Sequence, residues 1–477
     1  MAPLPQDDSS KSKEDVNLRR ATDDAPQVTA KEALGRDPEN DGPIVDAVFG
    51  VIKDDGPNYR GLGWIRTAIL LIKVQLGLGI LGLPSVMMSL GTGGGVLVIV
   101  AISALTTWAN YVVVMFKLKH PEVYSMADIG YLMGGVLGRE FLGASYWLLL
   151  TAVSGAGMLS MATAFNVMAE GQYTCTVVYA VVGAILTFLF SSIRTLDRIS
   201  WIGWIGVAGI MTAILILTIA VGVQDRPQAA PPVGPWDPQL IAWGTPTFLE
   251  AMTAVSTVMF AFGGAPNFTT ILAEMRRPED FTKSLALCQS FVTITYLVIG
   301  CVVYHYCGIY VSSPALSSAG ALLSKVCYGI ALPGLIVGCV LMSHLTSKYT
   351  FLRVCGRTKH VSSNSLQSWS IWLAFVFVNV AISWVISQAI PFFGDLVSLI
   401  GALITAMLCM TTSGVMWLWL KRAELRTNRR LSFLALVAVN VVLVAAGTFI
   451  QVSGTVASII AINKTLERGD TTTPFSC

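Results

Sequence analysis

Charged residues are scarce in this sequence of 477 residues. Asp, Glu, Lys and Arg together make up 12% of it, whereas hydrophobic residues make up 54%, and the mean hydropathy is +0.67. A soluble protein of this length needs more charge to remain in solution, so the composition predicts an integral membrane protein. The net charge of +3 is small and the basic residues are dispersed, so we expect no nucleic-acid partner.

The sequence also lacks the motifs of enzymes and metal sites. Its 4 histidines do not cluster, its 9 cysteines show no Cys-x-x-Cys spacing, and neither H-E-x-x-H nor G-x-S-x-G occurs. Nucleophilic and metal-assisted catalysis depend on such patterns. We therefore expect a protein that is not an enzyme and has no catalytic residue, no metal site and no cofactor.

Long apolar runs are what the sequence does contain. A helix needs about 20 apolar residues to cross a bilayer. Eleven such runs occur, at 64–90, 94–116, 141–168, 173–193, 199–223, 247–273, 284–306, 321–345, 370–388, 395–420 and 431–460. The predicted fold is therefore an all-α integral membrane protein with eleven transmembrane helices, with the lipid bilayer as its environment.

Lys and Arg concentrate in one set of alternate loops, which includes Arg194, Arg276 and Lys421, whereas the other set holds Arg226 and Lys325. Short cytoplasmic loops retain such residues. The bias predicts a cytosolic N-terminus. The expected location is the plasma membrane, as a multi-pass protein, with the vacuolar membrane as the alternative.

Polar stretches between the runs suggest the domain boundaries. Residues 1–63 are acidic and low in aromatics, which is typical of a disordered cytosolic tail. The other predicted units are helices one to five at 64–223, an outside loop at 224–246, helices six to ten at 247–420, an inside loop and an extra C-terminal helix at 421–462, and a C-terminal tail at 463–477.

Two of the apolar runs carry helix-breaking residues. The first run reads K-V-Q-L-G-L-G-I-L-G-L-P over 73–84, and the sixth reads F-G-G-A-P over 262–266. Glycine and proline lower helix propensity, and irregular backbone within a membrane is tolerated where it is buried or lines a cavity. Two interrupted helices five spans apart predict matching halves, 5+5, related by an inverted repeat, with a substrate site at the breaks.

A broken helix exposes amide N–H groups on one side and carbonyls on the other, which suits a zwitterion such as an amino acid. We expect the carboxylate to meet the amides of the first break and the ammonium to meet carbonyls of the second. The predicted substrate-binding residues are Gly77, Leu78, Gly79, Ile80, Phe262, Gly263 and Gly264. The alternative is that these glycines serve only close helix packing.

The motif G-x-G-x-L-x-L-P at 77–84 resembles the signature of the amino acid/auxin permease family. The similarity extends to E-M-R-R-P at 274–278 and S-K-Y at 347–349. The resemblance implies a LeuT-like fold with broken helices one and six, and proton-coupled import of neutral aliphatic or aromatic amino acids. The alternatives are a sodium-coupled or vacuolar amino acid transporter, or an amino acid sensor on the same scaffold.

One charged residue lies deep in the first span. Lys73 precedes the first glycine by one turn, and an ionisable group inside a membrane is by default a functional hypothesis. The resemblance places this stretch beside a LeuT-like sodium site shared with helix eight, near Ser343. A lysine there would replace sodium and exchange a proton, so Lys73 and Ser343 are the predicted coupling residues. The alternative is that Lys73 extends to the membrane interface.

Two carboxylates are weaker candidates for gates. Glu274 follows the sixth span beside Arg276 and Arg277, and is interpreted first as part of an ion pair and second as part of an inner gate. Glu250 is interpreted as an outer gate or as a solvated helix start.

Overall fold

The computed structural model describes residues 45–46, 50–51, 62–169, 176–193, 196–231, 233–355, 365–468 and 474–475, with backbone alone at 45–46, 50–51, 196–205 and 468. Most of the predicted N-terminal tail, 1–63, and part of the predicted tail at 463–477 lie outside the described residues. Within the first of these, β1 (Val45–Asp46) pairs antiparallel with β2 (Gly50–Val51).

The other regular secondary structure of the described chain is helical. The α-helices are α1 (Trp64–Gln75), α2 (Leu83–Lys119), α3 (Met126–Met168), α4 (Thr176–Ser191), α5 (Leu196–Val223), α6 (Phe248–Ala261), α7 (Ala265–Ala273), α8 (Phe281–Cys307), α9 (Ala321–Cys355), α10 (Leu366–Ala389), α11 (Phe393–Ile400), α12 (Thr412–Leu420), α13 (Glu424–Thr427), α14 (Leu431–Phe449) and α15 (Thr455–Arg468). Short 3₁₀ helices occupy Leu78–Gly82, Pro278–Asp280, Gly308–Tyr310 and Ala315–Ser318, and π-helical turns occupy Gly401–Thr405, Met407–Thr411 and Ile450–Gly454.

Nine stretches of helix in the described chain are long and apolar enough to cross a membrane, and α4 is a shorter apolar helix. This confirms the predicted all-α membrane protein. The count of eleven spans is not confirmed. The first predicted span divides into α1, which has 12 residues, and a stretch from Leu78 to Lys119 that continues into the second. Gly91, with φ 76° and ψ 166°, bends the backbone between these two predicted spans.

The third predicted span is preceded by helix that the apolar pattern misses. Helix α3 begins at Met126, where Ser125 and Asp128 form a reciprocal capping box, and it bends at Gly134 and Gly135. The part before the bend is only eight residues long, and Asp128 within it and Arg139 and Glu140 after the bend separate it from the apolar run. The last helix likewise extends to Arg468, past the predicted start of the tail at 463.

Both predicted interruptions are present. The chain leaves the α-helix after Gln75, passes through Leu76 (φ −76°, ψ 72°) and Gly77 (φ −124°, ψ −132°), and resumes as the 3₁₀ turn Leu78–Gly82 before α2. Helix α6 ends at Ala261, and α7 begins at Ala265 after three residues. The clusters of glycine and proline account for both breaks, because they weaken helix propensity within an apolar segment.

The long helices pack in two groups. Helix α8 packs along α2 and α1, and α6 and α7 also pack against α2. We refer to α1, α2, α6, α7 and α8 as the first group. Helix α9 packs along α5 and α3, and α4 and α10 pack against α3. These five helices form the second group, and the interrupted helices face it.

Candidate functional site

A cavity of about 110 Å³ lies between the two groups, at the level of both interruptions. One water needs roughly 10–15 Å³ in such a measure, so the cavity has room for several waters or a small solute. The first group contributes Lys73, Val74, Gln75, Leu76, Gly77, Leu78, Gly79, Phe260, Ala261, Gly263, Gly264 and Asn267. The second group contributes Leu149, Leu150, Val153, Gly206, Val207, Ile210, Gly334, Leu335, Val337, Gly338, Cys339, Leu341 and Met342, and Thr405 completes the wall.

Most of the predicted substrate-binding residues surround this cavity, and two do not. Gly77, Leu78, Gly79, Gly263 and Gly264 all line it. The structure brings these residues of the two breaks together around one space.

The two predicted residues outside the lining are Ile80 and Phe262. Both side chains are buried, and the Phe262 ring packs against that of Tyr296, with 5.1 Å between ring centroids. These two side chains therefore pack in the protein interior next to the breaks and do not face the cavity.

The two breaks touch through their main chains. A Cβ atom added to Gly79 would lie 2.5 Å from the Cα atom of Ala261, which is closer than a real contact permits. Thr405 lies similarly close to Gly263, where an added Cβ would be 2.7 Å from the Thr405 methyl carbon. Glycine at these two positions therefore allows a close approach that a larger residue would prevent.

Unpaired backbone groups at the breaks give the site its polarity. The amides of Leu78 and Gly79 fall in the first turn of a helix, where N–H groups have no partner within the helix. The helix N-terminus also carries partial positive charge, which favours an anion. The first break therefore has the polarity that a carboxylate requires, and the role of these amides in binding stays a prediction.

The carbonyls at the breaks meet a residue that the sequence analysis missed. The hydroxyl of Tyr296 in α8 lies 2.7 Å from the main-chain oxygen of Gln75 and 3.0 Å from that of Ala261. Tyr296 is fully buried. A tyrosine within an apolar span usually serves packing, so no signal in the sequence distinguishes it.

A second missed contact involves Asn267 in α7. This side chain lines the cavity, and its Oδ1 accepts a hydrogen bond of 2.9 Å from the hydroxyl of Tyr146 in α3. The bond joins the two helix groups. An amide within an apolar span was the available signal.

The predicted coupling residues are not adjacent in the cavity wall. Lys73 lines the cavity and is half-buried, and no carboxylate of the described residues forms an ion pair with it. Ser343 is fully buried and does not line the cavity; its Oγ accepts a hydrogen bond of 3.0 Å from the Asn379 amide, whose Oδ1 accepts one of 3.0 Å from Thr151. Ser343 therefore belongs to a polar contact among α3, α9 and α10.

Glu274 lies just beyond the end of α7, outside the cavity lining. Its main-chain oxygen accepts a 3.3 Å hydrogen bond from the amide of Leu62, and the amide of Arg276 donates to the Leu62 oxygen at 3.0 Å. Burial raises the pKa of the Glu274 carboxyl above its usual value, and nearby Lys348 opposes that rise. This segment thus ties the beginning of α1 to the end of α7.

Glu250 is exposed at the start of α6. Its carboxylate accepts a hydrogen bond of 2.9 Å from the amide of Thr247, and the Thr247 hydroxyl accepts one from the amide of Glu250. This capping box matches the interpretation of a solvated helix start.

Comparison with known proteins identifies the family. Residues 60–460 match the family described as Transmembrane amino acid transporter protein. The chain belongs to this family. A Neurospora crassa relative, described as N amino acid transport system protein, is 32% identical over 424 residues, which cover 88% of this transporter and 89% of the relative. An Arabidopsis thaliana relative, Amino acid transporter AVT1B, is 22% identical and covers 83% of this transporter and 70% of the relative.

A solved structure shows the same fold at low identity. The inward-facing conformation of Mhp1, a LeuT-fold transporter, superposes with a TM-score of 0.52 at 14% identity, covering 90% of this transporter and 96% of Mhp1. The family makes the protein an amino acid transporter, and its family is one of transporters rather than enzymes.

Proposed function

We propose that this transporter imports neutral L-amino acids by alternating access, in symport with protons. The observation that carries the proposal is the lining of the cavity, where apolar walls adjoin main-chain amides and carbonyls at two helix breaks. None of the described residues that line the cavity is acidic. A cationic substrate side chain would find no carboxylate there, whereas an aliphatic or aromatic one would meet Leu, Val and Ile.

The arrangement of helices supports alternating access. Two interrupted helices lie in the first group and face the helices of the second, with the cavity between them. Transporters with inverted repeats of five helices and broken first helices are built in this way, and one bundle of helices rocks against the other around a central site. We propose the same 5+5 organisation here, with eleven spans in all.

Lys73 is our candidate for proton coupling. It is the one charged side chain among the lining residues, it stands one turn from the first break, and no described carboxylate pairs with it. A cation without a counter-ion is costly in a medium of low dielectric constant, so a lysine in such a place can release and rebind a proton during transport. Ser343 would act only indirectly, through the helix contact that it shares with Asn379.

Uptake into proteoliposomes tests the proposal. The purified transporter would be offered a panel of labelled neutral, acidic and basic amino acids, with pH gradient and sodium varied independently. We expect leucine, alanine and phenylalanine to accumulate with an inward proton gradient and without sodium. Dependence on sodium would favour the sodium-coupled alternative, and binding without counterflow would favour a sensor, because exchange requires alternating access.

The membrane of residence needs a separate experiment. We propose the plasma membrane, with a cytosolic N-terminus, because Lys and Arg concentrate in one set of alternate loops. A fluorescent fusion together with protease accessibility of an N-terminal tag would decide this. Labelling of the vacuolar membrane would support the alternative location.

A further inference from the structure

The hydroxyl of Tyr296 lies between two main-chain oxygens from different helices. It is 2.7 Å from the Gln75 oxygen at the end of α1 and 3.0 Å from the Ala261 oxygen at the end of α6. A tyrosine hydroxyl carries one proton, so it can donate one full hydrogen bond at a time. Two acceptors therefore share a single donor at this point.

The two oxygens differ in their other partners. The Gln75 oxygen also accepts a 2.8 Å hydrogen bond from the amide of Gly77. Among the hydrogen bonds of the described residues, the Ala261 oxygen accepts from Tyr296 alone. Its distance of 3.0 Å from the hydroxyl is longer than the 2.7 Å of the Gln75 oxygen. Ala261 lies in the cavity wall. The Ala261 oxygen thus has unused capacity to accept a proton donor from the cavity.

We propose that Tyr296 is a positioning residue for the substrate ammonium group. It holds the ends of the two interrupted helices together, so that the Ala261 oxygen is fixed at the cavity wall and accepts an N–H of the substrate. Tyr296 shares its one proton between the Gln75 and Ala261 oxygens, and the ammonium supplies the second donor that this pair of carbonyls lacks. The inference rests on the proposed function, since it assumes an amino acid substrate.

Packing around the Tyr296 ring keeps its hydroxyl in place. Its ring packs edge to face against Phe262, and the side chain is fully buried. About two turns before Tyr296 on α8, the Cys288 thiol separately donates to the Gln75 side-chain oxygen at 3.4 Å. Both Cys288 and Tyr296 of α8 therefore contact Gln75 at the end of α1. Of the two, only Tyr296 also contacts Ala261 at the end of α6.

Tyr296→Phe tests the proposal, with leucine uptake into proteoliposomes as the measurement. Loss of the hydroxyl frees both carbonyls to move, and the ammonium loses a fixed acceptor. Hydrogen bonds to charged groups are among the stronger ones, so we expect KM for leucine to rise about tenfold or more while the maximal rate per folded transporter stays within about twofold. KM does not depend on how much protein folds, and the rate is normalised to folded protein by size-exclusion chromatography.

Two matched controls separate positioning from packing. Tyr304→Phe removes a buried hydroxyl from the same helix, where it accepts a 3.2 Å hydrogen bond from the Ile241 amide away from the breaks. Cys288→Ala removes the other contact of α8 with Gln75. We expect both variants to keep the wild-type KM.

The outcomes are distinguishable. An unchanged KM in Tyr296→Phe, an equal rise in Tyr304→Phe, or a fall in maximal rate alone would each overturn the positioning role. Failure of the wild-type protein to take up any neutral amino acid would instead refute the proposed function, before the variants are compared.

Discussion

A single methyl group at Gly79 tests how closely the two interruptions fit. A Cβ atom there would lie 2.5 Å from the Cα atom and 2.8 Å from the Cβ atom of Ala261. Since the nearer atom is backbone, α6 must shift rather than a side chain rotate. Overpacking a dense interior costs about 1–3 kcal/mol, so Gly79→Ala should lower the free energy of unfolding by about that amount.

Gly77 provides the control, because a Cβ atom added there meets nothing within 4 Å. The free energy of unfolding of each purified variant would be measured in mixed micelles with increasing denaturing detergent. Gly77→Ala should stay close to wild type. Adding Ala261→Gly to Gly79→Ala should restore only part of the loss, since the contact with the Cα atom remains. Equal stability of Gly79→Ala and Gly77→Ala would refute the inferred backbone contact between the breaks.

Three further predictions concern charge and buried polar groups. Lys73→Ala should abolish proton-driven accumulation of leucine while leaving exchange at equal pH; accumulation with the wild-type pH dependence would contradict the coupling role. Asn379→Leu should lower the free energy of unfolding by about 1–3 kcal/mol, because Ser343 and Thr151 lose a buried partner; an unchanged unfolding midpoint would refute this. Burial raises the pKa of Glu274, so the folded protein binds this proton more tightly than the unfolded chain, and stability should fall as pH rises above about 4.5. Glu274→Gln should remove that decline. The free energy of unfolding would be measured against pH for both proteins, and an equal slope in the variant and the wild type would contradict the prediction.

The breaks were predictable because helix propensity and apolarity are both local properties. Glycines at 77, 79 and 82 within an apolar run mark the first interruption, and the structure has it at Leu76–Gly82. The start of α3 at Met126 was not predictable in the same way, because its first turns do not form an apolar run. Span boundaries that depend on hydropathy alone therefore err where a helix continues beyond the apolar region.

Side-chain direction explains the misses within the site. Ser343 lies at the expected level of α9, yet successive helical residues differ in direction by about 100°, so Leu341 and Met342 face the cavity and Ser343 faces α10. The rotation of one helix relative to its neighbours is set by tertiary packing, which a single sequence does not reveal. Tyr296 was missed because tertiary packing also decides its contacts: its hydroxyl meets the oxygens of Gln75 and Ala261, which are far from it in the sequence.

The distribution of hydrogen bonds connects the fold with the proposed rocking of two groups. Within the first group, the Ser284 hydroxyl donates to the Trp64 oxygen at 2.7 Å, and Tyr296 bridges both breaks. Between described side chains of the two groups, the hydrogen bond from Tyr146 to Asn267 joins one group to the other. A net contribution of about 0.5–1.5 kcal/mol is typical of such a bond. Polar contacts thus hold each group together, while the boundary between them is largely apolar and can slide at modest cost, as alternating access requires.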